Sequence, residues 1–261
     1  MDRELGKNGR MAAHIRKLFS DGGYRRSCGQ FVCEGDKLLK DAVLSGAEVL
    51  TVVYTDGIRL PETAEGTEFI HCSEELMRSL SPQKSPQGAM FICALREREG
   101  PIPQGFLLVL DGVQDPGNVG TVLRTAEAFG AASVILCPGC ADPFLHKTVR
   151  ASMGSVFRQD FRLMTREELL RIVEDRGTHL FIADGYSDMT IDLIPKGSCA
   201  VAVGSEGSGV SRELRMGAEG SVRIPMKGRC ESLNAAVAAS VIMWEVSGRR
   251  GSADEGRAGC V

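Results

Sequence analysis

The 261-residue chain lacks several things, and each absence narrows its function. No apolar run approaches the roughly 20 residues of a membrane-spanning helix. The start, Met1-Asp-Arg-Glu-Leu5, has no secretory apolar core, so the expectation is a cytoplasmic protein. Beside Cys137-Pro-Gly-Cys140 there is no second C-x-x-C, and with only His146 nearby a four-ligand zinc site is incomplete, so no metal is expected. Nine cysteines are an odd number and scattered, which suits reduced thiols; for the C-x-x-C itself, a redox pair and a plain strand-to-turn junction both stay open. Neither the dinucleotide order G-x-G-x-x-G nor a P-loop Gly-Lys-Ser/Thr ending occurs, which argues against a nucleotide-dependent oxidoreductase. No internal repeat is visible. A net charge of -3 does not announce nucleic acid.

The charge is unevenly spread. Residues 1–30 hold seven Lys/Arg against three acids, whereas residues 31–105 hold seven against twelve. A basic end on an acidic body is an electrostatic footprint for RNA or, equally, a solvated terminus. The run Arg96-Glu-Arg-Glu-Gly-Pro-Ile-Pro-Gln-Gly105 is charged, then Pro- and Gly-rich, and divides the chain. The expected organisation is a small α/β domain over 1–98, a linker over 99–105, a larger α/β domain over 106–247 and a disordered tail over 248–261.

In the first domain the pattern predicts helices at 10–20, 36–46 and 73–80 and strands at 30–34, 48–54, 67–70 and 88–95. Ser73 followed by Glu74 and Glu75 reads as a helix start. In the second, strands are expected at 106–110, 133–137, 155–161, 179–184, 199–204 and 221–224. Helices are expected at 118–129, 145–152, 166–176, 211–217 and 232–247. The continuous apolar run Val201-Ala-Val203 suits a strand covered on both faces, and the alternation implies a mostly parallel sheet.

Three polar loops end strands of this second domain. Asp111-Gly-Val-Gln-Asp-Pro-Gly-Asn118 delivers Asn118 to a helix start, with Arg124 further along that helix. Gly204-Ser-Glu-Gly-Ser-Gly209 is a turn whose glycines allow close backbone approach, and whose Glu206 suits a cation, a hydroxyl or an amine but not a pyrophosphate. Ile224-Pro-Met-Lys-Gly-Arg-Cys-Glu-Ser-Leu-Asn234 opens the last helix, where Ser232 reads either as an N-cap or as a ligand contact. Ligands of open α/β sheets gather at such strand ends, so the three loops suggest one composite site. On the last helix Leu233, Val237, Val241 and Trp244 form a stripe that reads as core or subunit contact.

Together these segments resemble the SpoU/TrmH branch of the SPOUT RNA methyltransferases. Asp115-Pro-Gly-Asn-Val-Gly120 with Arg124 and Ala126 is similar to motif one, Val203-Gly-Ser-Glu-Gly-Ser-Gly209 to motif two, and Val222-Arg-Ile-Pro-Met226 with Glu231-Ser-Leu-Asn-Ala-Ala-Val-Ala-Ala239 to motif three. Asp142 to Gly154 resembles the connecting loop. Two positions depart: Ser205 stands where motif two usually has Asn, and His146 where the loop usually has Pro. Phe31 to Ala42 resembles, more loosely, the ribosomal-protein-like RNA-binding domain many of these enzymes carry.

The resemblance implies a C-terminal parallel-sheet domain with a trefoil knot, a homodimer, S-adenosyl-L-methionine as cofactor, and methylation of a ribose 2′-hydroxyl of rRNA, with tRNA as the second possibility. It implies that Arg124, Asn118, Glu206, Ser232 and Asn234 serve catalysis. Val203, Gly204, Ser205, Glu206, Gly207, Gly209, Ile224, Pro225, Met226, Ser232, Leu233 and Asn234 would line the cofactor site, and Arg25, Arg26, Lys147 and Arg150 would contact RNA. A guanidinium is a poor base, so Arg124 is expected to stabilise the developing alkoxide rather than take its proton. A non-catalytic RNA-binding protein of the same fold is the competing reading; it would require loss of Asn118, Arg124 or the loops, and all are present.

Overall fold

In a computed structural model, the residues described are 3–7, 9–95, 100–195, 198–228 and 232–248. The chain forms two compact units: unit 1 comprises Met1–Glu97 with Asp142–Arg158, and unit 2 comprises Arg98–Ala141 with Gln159–Val261.

Unit 1 begins with β1 (Arg3–Glu4), α1 (Arg10–Ser20), α2 (Gly22–Cys28), β2 (Gln30–Glu34), α3 (Asp36–Leu44), β3 (Val49–Tyr54), β4 (Glu68–His71), α4 (Glu74–Leu80) and β5 (Ala89–Ala94). The strands form a mixed sheet ordered β1-β4-β3-β5-β2. Ile15 and Leu18 of α1 and Met77 and Leu80 of α4 bury against Val32, Val53, Met90 and Ile92. Ser73 caps α4 as its sequence predicts, accepting from the Leu76 N–H at 3.2 Å. Helix α2 has no counterpart in the sequence reading, because Gly22 and Gly23 are poor helix formers. Local bonds make it: Asp21 accepts from the Tyr24 N–H at 3.0 Å, and Gly29 ends it at φ 62.

Unit 2 opens with β6 (Leu107–Asp111), α5 (Pro116–Phe129) and β7 (Ser133–Leu136). The chain then passes through α6 (His146–Ser152) and α7 (Ser155–Arg158), which belong to unit 1, before returning for β8 (Phe161–Leu163). The remainder is α8 (Arg166–Asp175), β9 (His179–Ala183), β10 (Cys199–Gly204), α9 (Arg212–Gly217), β11 (Gly220–Val222) and α10 (Ala235–Gly248). The sheet is parallel throughout and ordered β11-β9-β10-β6-β7-β8. From β6 the chain builds outward through β7 and β8, then returns to build on the other flank. The β6/β10 boundary is therefore the topological switch point, and Gly204 and Asp111 are register partners there.

Three sequence expectations need correction. Residues 155–161 are not a strand: α7 takes 155–158 and β8 starts at Phe161. Gly154 at φ 86 turns the chain and the Ser152 hydroxyl accepts from the Val156 N–H, so a helical turn nucleates where apolar content suggested extension. The last helix starts at Ala235 rather than 232, because Asn234 caps it, its Oδ1 accepting from Ala236 and Val237 at 3.0 and 3.3 Å. The segment 142–158, assigned from sequence to the second domain, packs with unit 1. Of the expected linker, residue 99 lies outside the described residues; of the expected tail, 249–261 do.

Candidate active site at the switch point

β10 ends at Gly204, which cannot carry a side chain: a Cβ there would stand 2.0 Å from the Gly209 carbonyl carbon. The loop folds back on its own strand end, closed by the Gly209 N–H to the Ser205 carbonyl at 2.9 Å. The Ser205 and Ser208 hydroxyls bond at 2.7 Å, and Ser205 also accepts from the Ser208 N–H. Ser205 thus fastens the turn locally. At Gly207 a Cβ would meet nothing within 4 Å, so the turn itself does not require glycine there.

Opposite lies the turn after β6. Asp115 caps α5, accepting from the Asn118 N–H at 2.8 Å, and Pro116 occupies the first helical turn, where a missing N–H costs nothing. Between the two turns is a cleft of about 440 Å³, lined among the described residues by Val113, Gln114, Asp115, Asn118, Ser205, Glu206, Gly207, Ser208 and Ala235.

Glu206 joins all three loops. Its Oε1 accepts from Asn234 Nδ2 at 2.8 Å, from Asn118 Nδ2 at 3.3 Å and from the Ala235 N–H at 3.3 Å. Asn234 Nδ2 also donates to Asn118 Oδ1 at 3.1 Å. One carboxylate therefore holds two side-chain amides at the mouth of a cleft, and the start of α10 favours that charge. Asp115 adds a second carboxylate to the wall, and no cationic side chain is among the lining residues described.

A further carboxylate, unassigned by sequence reasoning, lies beneath. Asp111 is 2% exposed; its Oδ1 accepts from Arg166 Nε at 2.8 Å, and its Oδ2 from the Ser211 N–H at 2.7 Å. Arg166 also donates to the Pro138 carbonyl at 3.1 Å. The pair ties the turns after β6 and β7 to the starts of α8 and α9. The available signal was a charge closing the apolar run Phe106 to Leu110. Nearby, burial above all pushes the Cys137 thiol up to about 12 and raises that of Cys140, which makes this C-x-x-C a poor source of thiolate. Among the described residues no group of His, Cys, Asp or Glu could hold a metal ion.

With this geometry in place, comparison with known proteins is decisive. The SpoU rRNA Methylase family matches residues 105–244, over half of the chain. The chain belongs to that family. Residues 14–90 match the MRM3-like substrate binding domain. A 23S rRNA (guanosine(2553)-2'-O)-methyltransferase of Bacillus subtilis is 33% identical over 231 residues, 86% of this chain and 91% of that one. The SpoU methyltransferase AviRb of Streptomyces viridochromogenes, solved in complex with AdoMet, is 26% identical with a TM-score of 0.86, covering 94% of this chain and 99% of that one. An rRNA methyltransferase of Sinorhizobium meliloti is 29% identical with a TM-score of 0.85, covering 95% and 98%.

Within this SpoU-family chain, the structure brings together Asn118, Ser205, Glu206, Gly207 and Asn234, with Gly204 and Gly209 shaping the turn. Ile224, Pro225, Met226, Ser232 and Leu233 do not line the cleft, and 229–231 lie outside the described residues. Val203 is buried in β10, so its side chain packs the core instead of a ligand. Ser232 is not the helix cap; Asn234 is. Arg124 is exposed on α5, outside the cleft lining, and Glu206 accepts from Asn118 and Asn234. Arg25 is no surface cation: it is 3% exposed and pairs with Asp142 at 2.6 Å inside unit 1. Arg26, Lys147 and Arg150 are exposed.

Proposed function

We propose that this chain transfers a methyl group from S-adenosyl-L-methionine to a ribose 2′-hydroxyl of 23S rRNA. The observation that carries the reading is the hydrogen-bonded cluster of Asn118, Glu206 and Asn234, which unites the three family motifs at one cleft. The residues present fit the cofactor: the cleft has the volume of a small-molecule site, its Gly207 leaves backbone open to a ligand, and its carboxylates match a cationic one. Asn118, Ser205, Glu206, Gly207 and Ser208, with Ala235 at the start of α10, would hold it. When bound, the cofactor supplies a methyl on a sulfonium, already electrophilic.

The chain's own residues then have to orient a poor nucleophile and ease the departure of its proton. Asn118, fixed by Glu206 and by the capping turn of Asp115, presents an amide of defined orientation to the ribose. Arg124, with no ion pair among the described residues, is available to a phosphate or a developing alkoxide. The trefoil knot belongs to this reading, supported by the return of Asn234 onto Asn118 and Glu206.

A homodimer also belongs to it. On α10 the small Ala235, Ala236 and Ala239, with Ile242 and Met243, face inward, whereas Val237 and Trp244 stay 49% and 62% exposed. Large apolar groups left outside on a helix whose small ones are buried suit a second copy. No helix among the described residues is long and apolar enough to cross a membrane.

Incubating the protein with methyl-labelled cofactor and protein-free 23S rRNA, then hydrolysing in alkali, tests the reaction. Label in alkali-resistant dinucleotides is the expected result; label on a base would overturn the ribose assignment.

A further inference from the structure

The turn that carries Glu206 leaves β10 and has to be held at both ends. Upstream the sheet holds it, where Gly204 is the register partner of Asp111. Within itself it closes between Ser205 and Gly209. Downstream, at Val210 and Ser211, no strand continues, and the helix start supplies no anchor of its own. Ser211 is the N-cap of α9, yet its side chain makes no capping bond, and its buried Oγ has no hydrogen-bond partner among the described residues. A helix start without its own cap leaves the preceding turn free to pivot unless another group takes hold of it.

Two carboxylate–guanidinium pairs do so, one from each strand beside β10. From β6, Asp111 Oδ2 accepts from the Ser211 N–H at 2.7 Å, while its Oδ1 accepts from Arg166 at the start of α8. From the end of β9, Asp184 Oδ2 accepts from Arg215 Nη1 at 2.7 Å, and the same guanidinium donates from Nε to the Val210 carbonyl at 3.1 Å. A Cβ at Gly209 would stand 3.4 Å from Arg215 Nη2, so this guanidinium lies directly against the turn. Each pair uses one contact to satisfy its partner's charge and another to grip the backbone. The consecutive residues Val210 and Ser211 are thereby held through a carbonyl and an N–H. Asp111 is buried, whereas the Arg215 side chain is 43% exposed, so one pair holds from inside and the other from the surface. Charge-assisted hydrogen bonds are shorter and stronger than neutral ones, which suits groups that fix a loop.

We propose that Asp111–Arg166 and Asp184–Arg215 are positioning pairs of the methyl-transfer reaction: by fixing Val210 and Ser211 they fix the turn from Gly204 to Gly209, and through it set where Glu206 stands relative to Asn118. The proposal rests on reading the cleft as the S-adenosyl-L-methionine site. None of the four side chains is among the described cleft lining, so they act through the turn and not on a ligand. The need for a fixed base is geometric. Glu206 meets Asn234 Nδ2 at 2.8 Å but Asn118 Nδ2 only at 3.3 Å. A retreat of the turn by about 0.5 Å would break the longer bond, and that is also about the tolerance of a functional constellation. Asp111 ends the strand whose turn delivers Asn118, so its bond to Ser211 joins the two cleft walls from below, as Glu206 joins them at the mouth.

The test compares the full-length protein with three variants. Arg215→Met removes the half-exposed guanidinium. Asp111→Asn keeps the size of the buried group but sets an amide N–H against one of its donor partners. Asp160→Asn is the control, because Asp160 and Arg162 form a pair of the same chemistry at 3.0 Å beside β8, the far edge strand of the same sheet. S-adenosylmethionine affinity is measured by calorimetry, the unfolding midpoint by circular dichroism, and the methylation rate on protein-free 23S rRNA at saturating cofactor. Arg215→Met and Asp111→Asn should each weaken cofactor binding about tenfold, the equivalent of one charge-assisted hydrogen bond. Both should also slow the saturated rate, because Glu206 orients Asn118. Asp160→Asn should lower the unfolding midpoint while affinity and saturated rate keep their parent values. Parent-like affinity in a folded Arg215→Met or Asp111→Asn would overturn the proposal, as would an equal loss of affinity in Asp160→Asn. Failure of both Arg215→Met and Asp111→Asn to fold would make the pairs structural and overturn it too. Failure of the parent itself to bind S-adenosylmethionine would instead overturn the reading of the cleft.

Discussion

At the residue scale the site depends on single atoms with several partners. Glu206 Oε1 takes three donors, so Glu206→Ala would leave the Asn118 and Asn234 side chains tied to each other but no longer to the turn after β10. The expected outcome is loss of both cofactor affinity and turnover, read by calorimetry and by initial rates. Arg124→Ala should differ: turnover should fall roughly 10²-fold or more, the effect of losing one transition-state donor, with cofactor affinity little changed. If cofactor binding collapses instead, Arg124 is a structural residue. That Asn118, Glu206 and Asn234 would come together was legible because each lies in a polar loop that follows a strand, and such loops gather at one edge of a parallel α/β sheet. The sequence did not show that Arg25 is buried or that Asp111 is a hub, since burial of a charge depends on a partner far along the chain, 117 residues away in the case of Arg25. Asp184 offers a pH signature. The hydrogen bond from Arg215 at 2.7 Å, then that from the Tyr186 N–H, holds its carboxyl below the usual carboxylate range. A depressed folded value means that the stabilisation is present above the unfolded value, near 3.9, and is lost as pH falls through the folded one. Asp184→Asn should therefore lower stability at neutral pH while flattening its decline in acid, as read by denaturant midpoints between about pH 6 and pH 3.

At the element scale α10 shows how far periodicity reaches. A stripe of Leu233, Val237, Val241 and Trp244 is legible in the sequence, but a helix apolar or small nearly all round does not declare which side meets its own sheet. Packing decides it: Ala235, Ala236, Ala239, Ile242 and Met243 are buried, while Trp244 stays exposed and meets Phe129 of α5 edge-on with ring centroids 5.6 Å apart. The exposed stripe then predicts a dimer. Light scattering on the parent protein should give twice the chain mass at micromolar concentration. Trp244→Glu, on an exposed position, should give a folded monomer with native circular dichroism, and it should be inactive. A variant that remains dimeric would remove α10 from the interface. Strand and helix order were legible from alternation, whereas 155–161 was not, because one hydroxyl and one left-handed glycine override its apolar content.

At the scale of the molecule, the segment 142–158 alters what a truncation means. The linker in the sequence invites deletion of residues 1–98 to leave an independent methylase unit. In that deletion Asp142 would lose its ion pair with Arg25, and Phe144 and Phe157 would lose the Phe31 ring. The expected outcome is an aggregation-prone protein, whereas a second deletion that also replaces 142–158 with a short polar linker should be soluble and bind S-adenosylmethionine. Sedimentation and calorimetry on the two would decide it; equal solubility would show that the segment does not need its partners. The same feature sets an order of events during synthesis. A unit whose last helices are encoded after the first strands of the other cannot be completed when its own first ninety-odd residues emerge from the ribosome. The surfaces of β2 and α2 that await α6 must stay open until Arg158 is outside the exit tunnel, by which time β6, α5 and β7 have already been made. The two units thus mature interleaved, and a nascent chain of this protein that stalls before Arg158 has left the tunnel still lacks the helices that complete unit 1.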